Sequence, residues 1–148
     1  MSKEMLLTKK KLADFIKKSK DVTYVDPNVR LNNFNNISTD SRKINKGDIF
    51  IALDGENFEG HNFISEALSN GAEFCISTKR NSSPKQITVN STMDFIQHFA
   101  GYLIESTPKL KTFGITGTNG KTSTKEILKN IISKQFNVLA THGNLNNQ

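Results

Sequence analysis

The stretch Thr112-Phe113-Gly114-Ile115-Thr116-Gly117-Thr118-Asn119-Gly120-Lys121-Thr122 joins a short apolar segment to a helix-like one through a glycine-rich loop. Residues 112–116 have the composition of a buried strand, and residues 122–134 carry isoleucine and leucine at helical spacing. A second strand-like segment follows at residues 137–140. This order of strand, loop, helix and strand predicts a β-loop-α-β unit, the building block of a parallel sheet.

The loop contains the residue types that a bound triphosphate requires. Gly117 and Gly120 let backbone N–H groups converge on phosphate oxygens at the start of a helix. Lys121 offers a cation to the β- and γ-phosphates, and Thr122 offers a hydroxyl to Mg²⁺. The strict pattern G-x-x-x-x-G-K-[ST] would need glycine at position 115, which is Ile115 here, so a glycine-rich turn with a chance Gly-Lys-Thr stays open as an alternative. The predicted ligands are a nucleoside triphosphate and Mg²⁺. The predicted nucleotide-binding residues are Gly117, Thr118, Asn119, Gly120, Lys121, Thr122 and Ser123, with Thr122 as the metal ligand.

The residues before this unit predict a separate, small, mixed α/β domain. Predicted helices cover about residues 8–18, 61–70 and 91–105, and predicted strands cover residues 37–39, 48–53, 72–77 and 86–89. Residues 19–36 are polar and asparagine-rich, which is typical of a loop or an irregular strand. Pro108 ends the last of these helices. The predicted organisation is therefore an α/β chain with one domain at residues 1–107 and the incomplete start of another at residues 108–148.

Composition restricts the classes of function. The chain has 148 residues and a formal net charge of +6, but its basic residues are not interleaved with aromatic ones, so we expect nucleotides rather than nucleic acid as anionic partners. Binding of nucleic acid by the lysine-rich first helix stays open as a remote alternative. No apolar run reaches the ~20 residues of a membrane span, and a single cysteine, Cys75, cannot form an internal disulfide. We expect a cytoplasmic protein.

Residues 114–122 resemble the nucleotide loop of the Mur ligases, which add amino acids to UDP-N-acetylmuramic acid in peptidoglycan synthesis. Folylpolyglutamate synthases carry a related loop. Asp40-Ser41-Arg42, together with residues 46–55 and 59–64, resembles the UDP-sugar-binding domain of two Mur ligases, which add the third amino acid or D-alanyl-D-alanine. The folate enzymes lack this block. The family usually has Asp-Gly-His where this chain has Glu59-Gly60-His61.

Two further segments favour the D-alanyl-D-alanine-adding branch of the family. Ser123-Thr124-Lys125-Glu126 and Gly143-Asn144-Leu145-Asn146-Asn147 resemble the corresponding segments of that branch. The resemblance implies an ATP-dependent ligase that joins D-alanyl-D-alanine to UDP-N-acetylmuramoyl-tripeptide through an acyl-phosphate intermediate. It also implies a catalytic role for Lys121, which would stabilise the transferred γ-phosphoryl group.

The resemblance also implies a set of substrate-binding residues, each with a structural alternative. Arg42 could face a diphosphate or form a surface ion pair, and His61 could line the same pocket or make a structural hydrogen bond. The asparagines could contact substrate or cap a turn. The implied substrate-binding residues are Asp40, Ser41, Arg42, His61, Asn144 and Asn147.

Two other functions stay open at this stage. One is the Mur ligase that forms the tripeptide by adding a diamino acid, and the other is a non-catalytic UDP-sugar-binding module. Family members have a further domain, later metal ligands and a carbamylated lysine that have no counterpart here. We therefore expect this chain to show no ligase turnover by itself.

Overall fold

The computed structural model describes residues 3–55, 58–80 and 82–141. The chain forms two compact units, Met1–Pro108 and Lys109–Gln148. Among the described residues, no helix has both the length and the apolar character needed to cross a membrane.

The first unit is built on a mixed five-stranded sheet with the order β1-β7-β6-β3-β2. The strands β2, β3, β6 and β7 are parallel to one another, whereas the edge strand β1 is antiparallel to β7. A separate antiparallel hairpin consists of β4 and β5. The strands are β1 (Val22–Val25), β2 (Ile37–Ser38), β3 (Ile49–Ile51), β4 (Asp54–Gly55), β5 (Phe58–Glu59), β6 (Phe74–Ser77) and β7 (Gln86–Val89).

The alternation of side chains along the strands gives the sheet two apolar faces. Ile49 and Ile51 of β3 pack on one face with helices α1 (Lys3–Lys18) and α3 (Thr92–Glu105). Phe50 of β3 points to the other face, where it packs with helix α2 (Ile64–Ser69). Because β3 is buried on both faces, its residues are all apolar and do not alternate with polar ones. The α/β class predicted from the sequence is thus confirmed.

Cys75 of β6 belongs to the same cluster as Phe50, and its side chain is fully buried. Burial raises the pKa of the Cys75 thiol to about 12, because the apolar surroundings disfavour the thiolate. The residue therefore packs as a small apolar side chain.

One element of the first unit begins earlier than predicted. Helix α1 begins at Lys3, several residues before the predicted start at Thr8, because the preceding residues Glu4, Met5 and Leu6 are themselves good helix formers. Strand β1 lies inside residues 19–36, which were predicted as a loop or an irregular strand. Its exposed and half-exposed residues alternate at an edge of the sheet, so it lacks the apolar run that identifies an interior strand.

Helix α3 is joined to the loop after α1 by an ion pair. His98 Nδ1 lies 2.7 Å from Asp21 Oδ2, and this contact, with the nearby charge of Asp94, raises the pKa of His98 above 6.5. Because the folded-state pKa is raised, the pair stabilises the fold fully below the unfolded-state pKa and loses its effect as pH rises through the folded-state pKa.

We expect the free energy of unfolding of His98→Gln to fall below that of the wild type at pH 5.5 and to approach it at pH 9. Denaturant unfolding at both pH values checks this. A difference between the two proteins that does not change with pH would contradict the account of this ion pair.

The second unit contains helix α4 (Lys121–Ile132), close to the predicted helix. The predicted strands at residues 112–116 and 137–140 are not formed in the described part of this unit. A strand is stabilised by backbone pairing with its neighbours, and neither segment has a pairing partner among the described residues. Large apolar side chains in the unit stay exposed, including Phe113, Ile127, Ile131, Phe136 and Leu139.

Candidate functional site

The predicted phosphate loop leads directly into helix α4. Gly117 has φ +145° and Gly120 has φ +77°, and both values lie in the region that only glycine adopts without strain. Gly120 is the N-cap of α4. The first backbone N–H groups of the helix have no partner within it, so they and the positive end of the helix dipole can bind an anion.

Lys121 holds its ammonium group over this loop. Its Nζ donates to the carbonyl oxygen of Gly117 at 2.5 Å and lies 3.5 Å from that of Thr118. The cation therefore lies among the backbone groups that would surround a phosphate. A phosphate oxygen is a stronger acceptor for an ammonium group than a neutral carbonyl. A bound phosphate would therefore replace the carbonyl of Gly117 as the partner of the Lys121 ammonium group.

The structure brings most of the predicted nucleotide-binding residues together around a small concave site. The cavity has a volume of about 180 Å³, which suits phosphate groups better than a whole nucleotide. It is lined by Thr118, Asn119, Gly120, Lys121, Thr122 and Ser123. Gly117 contributes the carbonyl that contacts Lys121.

No cluster of three or more metal-ligating side chains (His, Cys, Asp or Glu) occurs within residues 3–55, 58–80 and 82–141. This is compatible with the predicted Mg²⁺ ligand Thr122, because Mg²⁺ at nucleotide sites takes few protein ligands and several phosphate and water oxygens. Thr122 lies at the second position of α4, inside the phosphate-sized cavity.

A larger cavity of about 410 Å³ lies in the first unit, within the range of ligand pockets. It is lined by Asp40, Ser41 and Arg42, which were predicted to bind substrate, together with residues of other elements. Its lining consists of Thr39, Asp40, Ser41, Arg42, Phe50, Phe63 and Glu66. We call it the Asp-Ser-Arg cavity.

Asp40 and Arg42 form a bidentate ion pair at the edge of this cavity. Arg42 Nε donates to Asp40 Oδ1 at 2.9 Å, and Arg42 Nη2 donates to Oδ2 at 3.1 Å. The hydrogen bond from Arg42 holds the pKa of the Asp40 carboxyl at about 2. The pair predicted as the alternative for Arg42 is thus present. Asp40 takes two of the five guanidinium donors, and the Arg42 side chain is 80% exposed.

Ser41 faces the interior of the same cavity and is buried. Its hydroxyl donates to Glu66 Oε2 at 2.8 Å, and its carbonyl oxygen accepts from Asn70 Nδ2 at 3.1 Å. Glu66 was missed from the sequence because it lies 25 positions from Ser41. Only the folded chain shows that the start of α2 comes next to the Asp-Ser-Arg turn.

His61 is not among the residues that line this cavity. Its imidazole lies in a polar cluster beside the β4–β5 hairpin, with Nδ1 3.8 Å from Asp54 Oδ1 and Nε2 3.7 Å from Glu59 Oε2. Lys79 Nζ lies 3.3 Å from Glu59 Oε1 and lowers the pKa of Glu59. Within the described residues, His61 Nδ1 is buried and has no hydrogen-bond partner. The short 3-10 helix Gly60–Phe63 explains the separation, because it carries Phe63 to the cavity and His61 to the hairpin.

The predicted substrate residues Asn144 and Asn147 lie outside the described residues.

The comparisons with known proteins agree on one family. The description of the family model that matches residues 33–139 is "Mur ligase family, catalytic domain". A UDP-N-acetylmuramoyl-tripeptide–D-alanyl-D-alanine ligase from Rickettsia prowazekii is 42% identical over 118 residues, which are 78% of this chain and 26% of that protein. This chain therefore spans about a quarter of the length of that curated relative.

Two solved structures resemble the fold. The UDP-N-acetylmuramoylalanyl-D-glutamyl-2,6-diaminopimelate–D-alanyl-D-alanyl ligase from Acinetobacter baumannii matches with a TM-score of 0.72 and 38% identity, over 76% of this chain and 26% of that one. The MurF ligase from Thermotoga maritima in complex with ADP matches with a TM-score of 0.63 and 36% identity, over 75% of this chain and 26% of that one. Since the family model also covers well over half of the sequence, this chain belongs to the Mur ligase family.

Proposed function

We propose that this chain is the amino-terminal part of an ATP-dependent ligase that joins D-alanyl-D-alanine to UDP-N-acetylmuramoyl-tripeptide. The observation that carries the proposal is the loop before α4, where Gly120 and Lys121 line a phosphate-sized cavity and the Lys121 ammonium group contacts the carbonyl oxygen of Gly117. The two proposed substrates, a UDP-N-acetylmuramoyl peptide and D-alanyl-D-alanine, are those in the names of the matched relatives.

In this proposal the second unit binds the phosphates of ATP. Residues 118–123 would surround the phosphate oxygens, and Lys121 would release the carbonyls of Gly117 and Thr118 to neutralise them. Thr122 would hold Mg²⁺, which neutralises phosphate charge when it is bound. Chemistry of this kind depends on positioning and on charge stabilisation, and both are properties of this loop.

We further propose that the domain predicted at residues 1–107 binds the UDP part of the sugar substrate in the Asp-Ser-Arg cavity. Phe63 offers an apolar face to a base, and the carboxylate of Glu66 offers an acceptor to an N–H donor. Arg42 offers its remaining donors to the diphosphate. His61 belongs to the hairpin cluster and keeps a structural role in this proposal.

A binding experiment on this chain tests the assignment of the cavity. We expect Arg42→Ala to raise the Kd for UDP about tenfold, the effect of losing one hydrogen bond from a charged group. Lys43→Ala is the matched control, because Lys43 lies with Arg42 on the short 3-10 helix Ser41–Lys43. Its ammonium group pairs with Asp40 at 3.5 Å and its side chain is 79% exposed, but it does not line the cavity. Titration calorimetry gives both values. An equal loss in the two variants would indicate only a general effect of positive charge and would overturn the assignment.

Ligase turnover is proposed for the complete protein and not for this chain alone. The exposed apolar residues of the second unit, such as Ile127, Ile131 and Leu139, have the character of a core surface that further chain would cover. Both nucleotide substrates belong to the cytoplasm, and we propose that compartment for the protein. D-alanyl-D-alanine-dependent release of ADP by this chain alone would contradict the proposal that turnover needs the complete protein.

A further inference from the structure

Ser41 is held at two points by residues of helix α2 and its cap. Its hydroxyl donates to Glu66 Oε2 at 2.8 Å, and its carbonyl oxygen accepts from Asn70 Nδ2 at 3.1 Å. Glu66 lies in α2 and Asn70 is the C-cap of the same helix, so the two side chains are about one helical turn apart. Ser41 is also buried. These contacts restrict both the position of Ser41 and the rotation of its hydroxyl.

The hydrogen bond to Glu66 decides what Ser41 can offer to a ligand. A carboxylate at neutral pH has only acceptors, so the proton in this contact belongs to the Ser41 hydroxyl. A serine hydroxyl has one proton and two lone pairs. While its proton is bound to Glu66, Ser41 Oγ can only accept a hydrogen bond from a ligand, and the same is true of the Glu66 carboxylate. The two side chains therefore place a group of acceptors on the wall of the Asp-Ser-Arg cavity.

The same cavity offers aromatic surface to a flat base, because Phe50 and Phe63 also belong to its lining. The pyrimidine bases differ at ring nitrogen N3, which carries a hydrogen in uracil and a lone pair in cytosine. A ring N–H can donate to a group of acceptors. A ring lone pair that faces the same acceptors leaves them unpaired, and a site built to bind a donor rejects an analogue that lacks it. The acceptors of Ser41 and Glu66 therefore favour uracil over cytosine.

We propose that Ser41 Oγ accepts the ring N–H of uracil, and that Glu66 is a positioning residue that holds the serine proton away from the base. The inference rests on the proposed function, because it names the part of UDP that Ser41 contacts. It has a distinctive consequence for Glu66→Gln. The glutamine amide nitrogen can donate to Ser41 Oγ, which frees the serine proton. Ser41 can then donate to N3 of cytosine, so the preference for uracil falls.

Titration calorimetry of this chain with UDP and with CDP tests the inference. We expect the wild type to bind CDP with a Kd at least about tenfold above that for UDP, as for the loss of one hydrogen bond with its acceptor left unpaired. In Glu66→Gln we expect this ratio to fall to about threefold or less, and it should also fall in Ser41→Ala. Glu105→Gln is the matched control, because Glu105 ends helix α3 and does not line the cavity. It should keep the wild-type ratio.

The outcomes separate this inference from the function on which it rests. A wild type that binds neither nucleotide would overturn both the assignment of the cavity to UDP and the inference. Binding of UDP and CDP with equal affinity would overturn the inference alone. A variant that only loosened the cavity would weaken both ligands equally, so an unchanged ratio of the two Kd values in Glu66→Gln would overturn the role of Glu66. If Glu66→Gln does not fold, Ser41→Ala decides, and a wild-type ratio in that variant would overturn the inference.

Discussion

Replacing Lys121 with alanine in the complete protein is expected to lower ligase turnover about a hundred- to a thousandfold, the scale seen when a charge-stabilising group is removed from an active site. Lys121 is the cation that the structure places over the phosphate loop, 2.5 Å from the carbonyl oxygen of Gly117. Without it, negative charge on the transferred phosphoryl group would have no compensating ammonium group from this loop. The measurement is the rate of ADP release at saturating concentrations of all three substrates.

Two controls make the Lys121 result specific. Lys129→Ala removes a lysine from the same helix that does not line the phosphate-sized cavity, and it should keep nearly full activity. Binding of ATP to Lys121→Ala should also weaken, because part of the attraction acts on the bound nucleotide before transfer. Turnover within a few-fold of the wild type would remove Lys121 from the mechanism.

Replacing Gly60 with alanine is expected to give the largest loss of stability among single-methyl changes in the first unit. A Cβ at this position would meet backbone atoms, at 2.7 Å from the carbonyl carbon of Ala52 and closer still to the carbonyl oxygen of Leu53. Backbone cannot move aside as the end of a flexible side chain can. The Gly60 N–H also donates to Asp54 Oδ1 at 3.0 Å, and a displaced backbone would lose this bond. We expect a loss of about 2–4 kcal/mol in the free energy of unfolding.

Gly101→Ala is the matched control for Gly60→Ala. Gly101 lies inside helix α3, and a Cβ there would meet nothing within 4 Å. The same chemical change should therefore stabilise the chain by about 0.5–1 kcal/mol, the difference in helix propensity between glycine and alanine. Denaturant unfolding of the two variants gives the comparison. A Gly60→Ala variant as stable as the wild type would contradict the claim that the backbone of residues 52–53 leaves no room for a Cβ at position 60.

The sequence predicted the interior of the first unit well because interior elements have strong local signals. Strand β7 occupies residues 86–89 as predicted. Ser91 caps α3 locally, since its Oγ accepts from the N–H of Asp94 at 3.1 Å. Gly71 has φ +103° directly after α2, as expected for a glycine that ends a helix. These features depend on neighbouring residues, which a sequence shows directly.

Elements that depend on distant partners were harder to predict. Strand β1 exists because it pairs with β7, and its own sequence has no apolar run. The segments at residues 112–116 and 137–140 have the composition of strands, but strand composition does not form a strand without a paired neighbour. The prediction there identified residues that suit a sheet, and among the described residues no sheet includes them.

The two candidate sites differ in the same way, since one is built from neighbouring residues and the other from residues distant in sequence. The phosphate loop is continuous in sequence, so its residues could be named in advance and the structure places them together. The Asp-Ser-Arg cavity combines residues 39–42 with Phe63 and Glu66, and no local pattern identifies Glu66. His61, by contrast, is close to Phe63 in sequence, but its imidazole lies beside the β4–β5 hairpin and does not line the cavity.

The most direct test of the central claim is the release of ADP by the complete protein supplied with ATP, Mg²⁺ and UDP-N-acetylmuramoyl-tripeptide. The assay is run with and without D-alanyl-D-alanine. In parallel, the UDP-N-acetylmuramoyl-dipeptide is offered with a diamino acid. We expect release of ADP that requires both D-alanyl-D-alanine and the tripeptide substrate, and no release with the dipeptide and the diamino acid. Release only with the dipeptide and the diamino acid would identify the tripeptide-forming ligase instead, and no release with either pair would contradict the proposal that this chain begins a ligase.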